Sequence, residues 1–313
     1  MVTNEELAQV VDTSDEWIRE RTGIRERRVV EPDQAASDIA VPAAREALER
    51  ARVTPGDVDL LIVATATPDM FFPATASLVG EELGAFDAAA YDLSAGCTGF
   101  VYALAQAYGA IAAGLALRVL VVGTETLSKV INWQDRRTCI LFGDGAAAAV
   151  VEPVVDGGFV GFELGSDGSR APDLCLPAGG SRAPATAQTV EQELHFLRMN
   201  GPEVFRLATR VMVASGEKLL DECGLAIEDV DLYAPHQANR RIIDHAVKAL
   251  RLPPDRVLVN VDRFGNTSSA SIPLCLHEAL GRGRLEAGMT VLMTAVGAGL
   301  TWGSSLVVWG NGR

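Results

Sequence analysis

Three stretches of this chain recur in the same order in its first and second halves. VDLLIVAT (58–65) is echoed by VDLYAPHQ (230–237), GLALRVLVVGTE (114–125) by LEAGMTVLMTAVG (285–297), and GDGAAAAVVE (143–152) by LTWGSSLVVW (300–309). The first member of each pair is a short run of β-branched and small apolar residues, the pattern of a strand covered on both faces. One echo at low identity carries little, but three in one order point to a duplicated unit. Helical patterns separate the strands. TSDEW opens one, with Thr13 and Glu16 at capping-box spacing and Gly23 as a stop. SDIAVPAAREALERA is amphipathic, with Pro42 in its first turns. PDMFFPATASLVGEELG passes from loop to helix. AAAYDL reads as a short buried strand, and TGFVYALAQAYGAIAAG as a long helix almost free of charge. The reading is an α/β chain with largely buried sheets. Residues 165–190 shift towards Gly, Pro, Ser and Ala and mark a boundary, so the expected halves are 1–164 and 165–313.

The 313 residues are 48% hydrophobic and carry a net charge of −14. That charge argues against nucleic acid as a partner, since such binding runs on basic surface. The acidic start has no signal-peptide core, and GAIAAGLALRVLVVG, broken by Arg118 and glycines, is no membrane span. Five scattered cysteines (97, 139, 175, 223, 275) show neither a disulfide framework nor zinc-ligand spacing. A cytoplasmic protein, with no metal and no membrane association, is the expectation.

Three turns hold candidate chemistry. In YDLSAGCTGF, Cys97 lies between glycines where a strand becomes a helix, at the end where free N–H groups favour a thiolate. In YAPHQANRRIIDHA, His236 follows a strand. In RFGNTSSAS, Asn266 precedes a helix. Each has an ordinary structural explanation: a small buried hydrophobe, a satisfied strand-end histidine, a turn asparagine. Together they offer a nucleophile, a proton carrier and a neutral donor, a grouping that suits acyl transfer from a thioester.

Five ordered motifs add to this: VDTSDEWIRERTGIRERR (11–28), DLSAGCTGF (92–100), LFGDGAAAAV (141–150), PHQANRRII (235–243) and NVDRFGNTSSASIP (260–273), with GAGLTWGSSLV (297–307) closing the chain in the same style. The chain resembles β-ketoacyl-acyl-carrier-protein synthase III, a branch of the thiolase superfamily, from about Thr3 to its end. The resemblance implies a thiolase-like fold of two duplicated α/β halves in αβαβα layers. It also implies a Cys97–His236–Asn266 triad, with Cys97 taking an acyl group from acyl-CoA. Malonyl-acyl carrier protein would then lose carbon dioxide, and its enolate would attack the acyl-enzyme. His236 and Asn266 would hold the enolate, and the backbone N–H groups of Cys97 and Ala298 the oxyanion. Trp17, Arg21, Thr22, Arg136 and Asn239 would meet CoA. Phe72 and Val296 would shape the acyl pocket, Phe72 by reaching across a homodimer. Arg206, Arg241 and Lys248 would dock the acidic carrier protein. No permanently bound cofactor is implied.

Two departures stand out. The family's opening strand and glycine-rich turn, ahead of the segment matching VTNEEL, are missing here, so the first sheet is expected to lose a member and expose backbone groups. Val296 stands where the family more often has Phe. Three rivals remain: a condensing acyltransferase of specialised, polyketide-like metabolism with another acceptor; a Cys/His/Asn hydrolase; and an inactive thiolase-shaped subunit.

Overall fold

In the computed structural model, which describes residues 1–310, the chain forms two four-stranded sheets. The first runs Ala89–Leu93, Leu60–Ala64, Val119–Glu125, Gly145–Val151, with the last strand antiparallel and the others parallel. The second runs Leu232–Pro235, Thr290–Gly297, Thr301–Val308, Gly158–Ser166. There the first pair is parallel and the next two are antiparallel. The echoed stretches occupy equivalent places in the two sheets. The position of Ala89–Leu93 shrinks in the second half to one bridge, Tyr233 to Val257.

Two helices fill the space between the sheets. Gly99–Ala112 and Ser271–Gly281 put Phe100, Val101, Leu104, Ile272, Cys275 and Leu276 into one core with residues from both sheets, including Ile62, Val121, Ala234 and Met293. The buried first turns and inner face of Gly99–Ala112 have no use for charge, which accounts for much of the composition of TGFVYALAQAYGAIAAG. Helices Ala36–Ala51 and Thr75–Leu83 cover the outer face of the first sheet through Val41, Leu48 and Val79. Helices Gly201–Glu222 and Arg240–Leu250 cover the second. The layers are therefore αβαβα. Each central helix starts at the seam between the halves, so its first residues face the other half.

Several local expectations change. The first motif's helix, Asp15–Thr22, is capped by Ser14, whose Oγ accepts from Trp17 N–H at 3.1 Å, and not by Thr13. Gly23 ends it as expected, at φ 76°. Ala89–Leu93 is a strand, but an edge strand of half-buried and exposed residues with Tyr91 38% exposed, since among the described residues it is paired on one side only. Gly158–Ser166 belongs wholly to the second sheet, so the change of sheet falls between Val151 and Gly158, ahead of the boundary read at 164–165.

The partner that Gly158–Ser166 gives Thr301–Val308 has no counterpart in the first sheet among the described residues. Gly145–Val151 is accordingly an edge, bordering a groove of about 1150 Å³ lined in part by Phe159, Leu276 and Trp309. Val2–Thr3 pairs with Glu26–Arg27, outside the sheet. Hydrogen exchange checks this. Alternate amides of Gly145–Val151, those facing the groove, should exchange at least about tenfold faster than those of central Val119–Glu125. Equal protection would contradict an open edge.

Candidate active site

Cys97 sits in a tight turn, Gly96–Thr98, that leads straight into helix Gly99–Ala112. The turn is pressed against a second turn that follows strand Thr290–Gly297. A Cβ at Gly297 would stand 2.6 Å from Cys97 N, and one at Gly96 (φ 56°) would stand 2.7 Å from Ala298 N. Only glycine permits that approach. Thr98 Oγ1 and Thr301 Oγ1 lie 2.8 Å apart, and both reach the Ala95 carbonyl, at 2.6 and 2.8 Å. The backbone of Cys97 and that of Ala298 are thereby held side by side.

His236 follows strand Leu232–Pro235 and is 1% exposed; its N–H donates to Thr294 O at 2.8 Å. Ser271 Oγ stands 2.7 Å from His236 Nδ1 and accepts from Gln237 N–H at 3.3 Å. Ser271 Oγ can therefore donate to Nδ1, the arrangement in which the ring hydrogen sits on Nε2. Burial pulls the His236 pKa down to about 3, so the ring is neutral. Asn266 is buried and pinned through its backbone to Leu141 O (2.8 Å) and Gly143 N–H (3.0 Å). Its Oδ1 accepts from Ser268 N–H at 2.9 Å, which leaves Nδ2 as the group's donor.

One segment, Asn266–Ser271, reaches all three corners. It contains Asn266, its turn Ser268–Ala270 packs against the Cys97 turn, and its Ser271 bonds His236. The expected thiolate is not the resting form. Cys97 is only partly open to solvent, and burial pushes its thiol up to about 12; the Ser268 hydroxyl and the turn's N–H pull the other way, more weakly. Desolvation outweighs the helix terminus here, so the free site holds a thiol beside a neutral imidazole. The groove along Gly145–Val151 is elsewhere, and none of the three residues lines it.

The other expected residues fall into groups. Trp17 is flanked by two cations: Arg21 Cζ is 4.3 Å and Arg136 Cζ 5.2 Å from the ring centroid. Arg136 is steadied by Asp12 at 2.9 and 3.2 Å. Thr22 is buried and bonds Ile18 O at 2.7 Å, so its hydroxyl serves the helix end and not a ligand. Asn239 caps helix Arg240–Leu250 through Arg241 N–H (2.8 Å) and donates to Arg21 O (3.2 Å), tying the two helices together. Arg27, in the same first motif, is fully buried and braces Asn4 and Ile140, a structural role. Phe72 is 85% exposed on its loop, not packed in a local core. Val296 packs with Leu207, Met212, Ile242 and Leu300. Arg241 lies over the Phe205 ring at 5.2 Å, while the neighbouring Arg206 is held by Glu203 at 2.5 Å. Lys248 is exposed two helical turns beyond Arg241 on the same helix.

Sequence reasoning missed Ser268, Ser269, Ser271 and Glu125. The one signal for the last was an acid ending a seven-residue strand that is otherwise uncharged.

Two outcomes follow. Between pH 6.5 and about 3 the unfolded chain binds a proton at residue 236 that the folded chain refuses, so stability falls as pH drops through that window. His236→Asn should flatten the pH dependence of urea stability below pH 6, by up to about 1.4 kcal/mol per pH unit; identical slopes would contradict a buried neutral imidazole. Gly297→Ala should displace the Cys97 backbone and lower turnover by about 100-fold, with folding intact by circular dichroism; wild-type turnover would refute the close approach.

Comparison with known proteins agrees with this geometry. Residues 91–168 match the family model for 3-oxoacyl-[acyl-carrier-protein] synthase III, and 220–309 match the model for its C-terminal part. The β-ketoacyl-[acyl-carrier-protein] synthase III of Symbiobacterium thermophilum is 55% identical over 99% of this chain and 94% of its own length. That of Caldanaerobacter subterraneus is 53% identical over the same shares. The crystal structure of the Thermus thermophilus synthase III superposes with a TM-score of 0.90 at 49% identity, covering 99% of this chain and 95% of that one. The layered fold, the duplicated sheets and this full-length similarity place the chain in the β-ketoacyl-acyl-carrier-protein synthase III family.

Proposed function

We propose that this protein catalyses the condensation that starts fatty-acid synthesis, joining an acyl group from acyl-CoA to a malonyl unit on acyl carrier protein. The observation that carries the reading is the single segment Asn266–Ser271, which brings Cys97, His236 and Asn266 into one buried site. In the first step the Cys97 sulfur attacks the thioester carbonyl. Its proton leaves with the coenzyme as the free thiol, and the acyl group stays on Cys97. The oxyanion of that step falls between the N–H groups of Cys97 and Ala298, which the glycine contacts hold side by side. In the second step the malonyl thioester loses carbon dioxide, so no strong base is needed to make the carbanion. His236 Nε2–H and Asn266 Nδ2–H are neutral donors aimed at the enolate oxygen. Fixed donors of this kind each supply about 3–4 kcal/mol in dry sites. The enolate carbon attacks the acyl-Cys97 carbonyl, the thioester breaks, and a 3-oxoacyl carrier protein leaves.

The supporting surface fits these substrates. Trp17 between Arg21 and Arg136 offers a plane for a base and cations for phosphate. Arg241 and Lys248, with Arg206 beside them, offer positive charge to an acidic carrier protein on an otherwise acidic molecule. Exposed Phe71 and Phe72 favour a homodimer in which Phe72 enters the partner's acyl pocket opposite Val296. No helix among the described residues is long and apolar enough to cross a membrane, in keeping with work in the cytoplasm. Nothing in the reaction calls for a resident cofactor. Relatives named synthase III at 46–55% identity do not favour the specialised-metabolism alternative.

Intact mass spectrometry after mixing with a set of acyl-CoAs tests the reading. One acyl adduct per chain should appear, on Cys97, and vanish in Cys97→Ala. His236→Ala and Asn266→Ala should still take the acyl group but release carbon dioxide from malonyl carrier protein at least about 100-fold more slowly. No adduct from any acyl-CoA, or full decarboxylation by either variant, would overturn it.

A further inference from the structure

Gln237 follows His236 in the motif PHQANRRII and is fully buried, yet no step of the proposed reaction uses it. Its side-chain amide makes every hydrogen bond it can. Nε2 donates to Pro235 O at 2.8 Å and to Leu258 O at 3.1 Å. Oε1 accepts from Asn260 N–H at 3.0 Å and from Val261 N–H at 3.2 Å. Both donors and both lone pairs go to main chain, and none is left over for water or a ligand. One of the four bonds is local. The other three cross to residues 258–261, on a separate stretch of chain.

That stretch leads directly to Asn266. The short helix Val261–Phe264 closes on its own first residues: Arg263 and Phe264 N–H donate to Asn260 O at 3.0 and 3.1 Å, and Gly265 N–H donates to Val261 O at 3.0 Å. The first N–H groups of a helix have no partner inside it; here Gln237 Oε1 is that partner. Beyond Asn266, Ser271 Oγ accepts from Gln237 N–H at 3.3 Å and lies 2.7 Å from His236 Nδ1. The His236–Gln237 corner is therefore tied to the chain on both sides of Asn266, by the Gln237 amide ahead of it and by Ser271 after it. His236 N–H to Thr294 O, at 2.8 Å, anchors the same corner to its own sheet. Glutamine suits the place by length as well as chemistry. Asparagine is one methylene short of these partners. An apolar side chain of equal length would leave two carbonyls and two N–H groups buried without partners, which costs more than the bonds themselves contribute.

We infer that Gln237 is a positioning residue for the second half-reaction: its amide fixes the His236 corner relative to the chain that carries Asn266, so that the two donors converge on one enolate oxygen. Cys97 lies outside this arrangement, because its turn is set by the Gly96 and Gly297 contacts. The inference rests on the proposed function for what the two donors hold, while the placement of the His236 ring can be read without any substrate.

The test compares Gln237→Met, which keeps the length and loses the hydrogen bonds, with the wild type in two measurements. The first separates the half-reactions. Acylation of Cys97 by acyl-CoA should stay within about twofold, while kcat for carbon dioxide release from malonyl carrier protein falls at least about tenfold with KM little changed. Loss of both half-reactions in step, the mark of a generally loosened fold, overturns the inference. So does full decarboxylation. The second measurement is nitrogen NMR of histidine-labelled protein, with the signal assigned through His236→Asn. At about pH 7 the wild type should show one neutral His236 ring carrying its hydrogen on Nε2. Gln237→Met should show a mixture of tautomers, since Ser271 then no longer meets Nδ1 in one fixed geometry; an unchanged His236 signal overturns the inference. Should Gln237→Met fail to fold, Gln237→Asn decides by the same two readings, because it keeps a polar amide but cannot reach all four partners. A wild type that takes no acyl group, with the His236 signal still altered by the Gln237 variant, would sink the proposed function and leave the placement of His236 by Gln237 standing.

Discussion

The structure depends on backbone meeting backbone across the seam between its halves. Gly297 lies against Cys97 N, Gly96 against Ala298 N, and Gly123 against Ser269 O. A methyl group at any of these would wedge the halves apart by tenths of an ångström to more than that, and protein interiors do not absorb such changes freely. Because both central helices begin at this seam, closing it brings their first turns, and the residues those turns carry, into one place. Packing and chemistry therefore have the same origin: the contact that seals the αβαβα core also builds the pocket.

Burial at the seam decides the charge states. It pushes Cys97 up and His236 down, so the resting site is neutral throughout. That outcome suits a two-step reaction. A permanent imidazolium or thiolate would be costly to bury, whereas neutral donors fixed in a low-dielectric pocket act on charge only as it develops. The free helix terminus behind Cys97 then matters at the moment of attack and not before it.

Much of this was legible in the sequence, for physical reasons that differ by element. Leu60–Ala64 and Val119–Glu125 are covered on both faces, so burial wrote itself as unbroken apolar runs, and the echo in Leu232–Pro235 and Thr290–Gly297 revealed the duplication. Ala89–Leu93 misled because only Ala90 packs against the core while Ala89 and Tyr91, on the other face, stand in the open. The helix cap slipped from Thr13 to Ser14 because both residues can cap and only the chain's path chooses between them. Cys97, His236 and Asn266 were visible as turn residues between strand and helix, but their meeting along segment Asn266–Ser271 is a tertiary fact that no spacing encodes. Glu125 was hidden because an acid at the end of a strand ordinarily points to water. Thr22 and Arg27, drawn in by the motif that holds Trp17 and Arg21, prove to hold the helix and the first turns in place, since a motif preserves scaffold as well as site.

A crystal structure of the protein acylated on Cys97 measures the central claim most directly. The acyl carbonyl oxygen should lie within hydrogen-bonding distance of both the Cys97 and Ala298 N–H groups, with the His236 Nε2 and Asn266 Nδ2 donors left facing empty space for a second substrate. An acyl oxygen bound by His236 and Asn266 instead, or an acyl group pointing away from all four, would contradict the account.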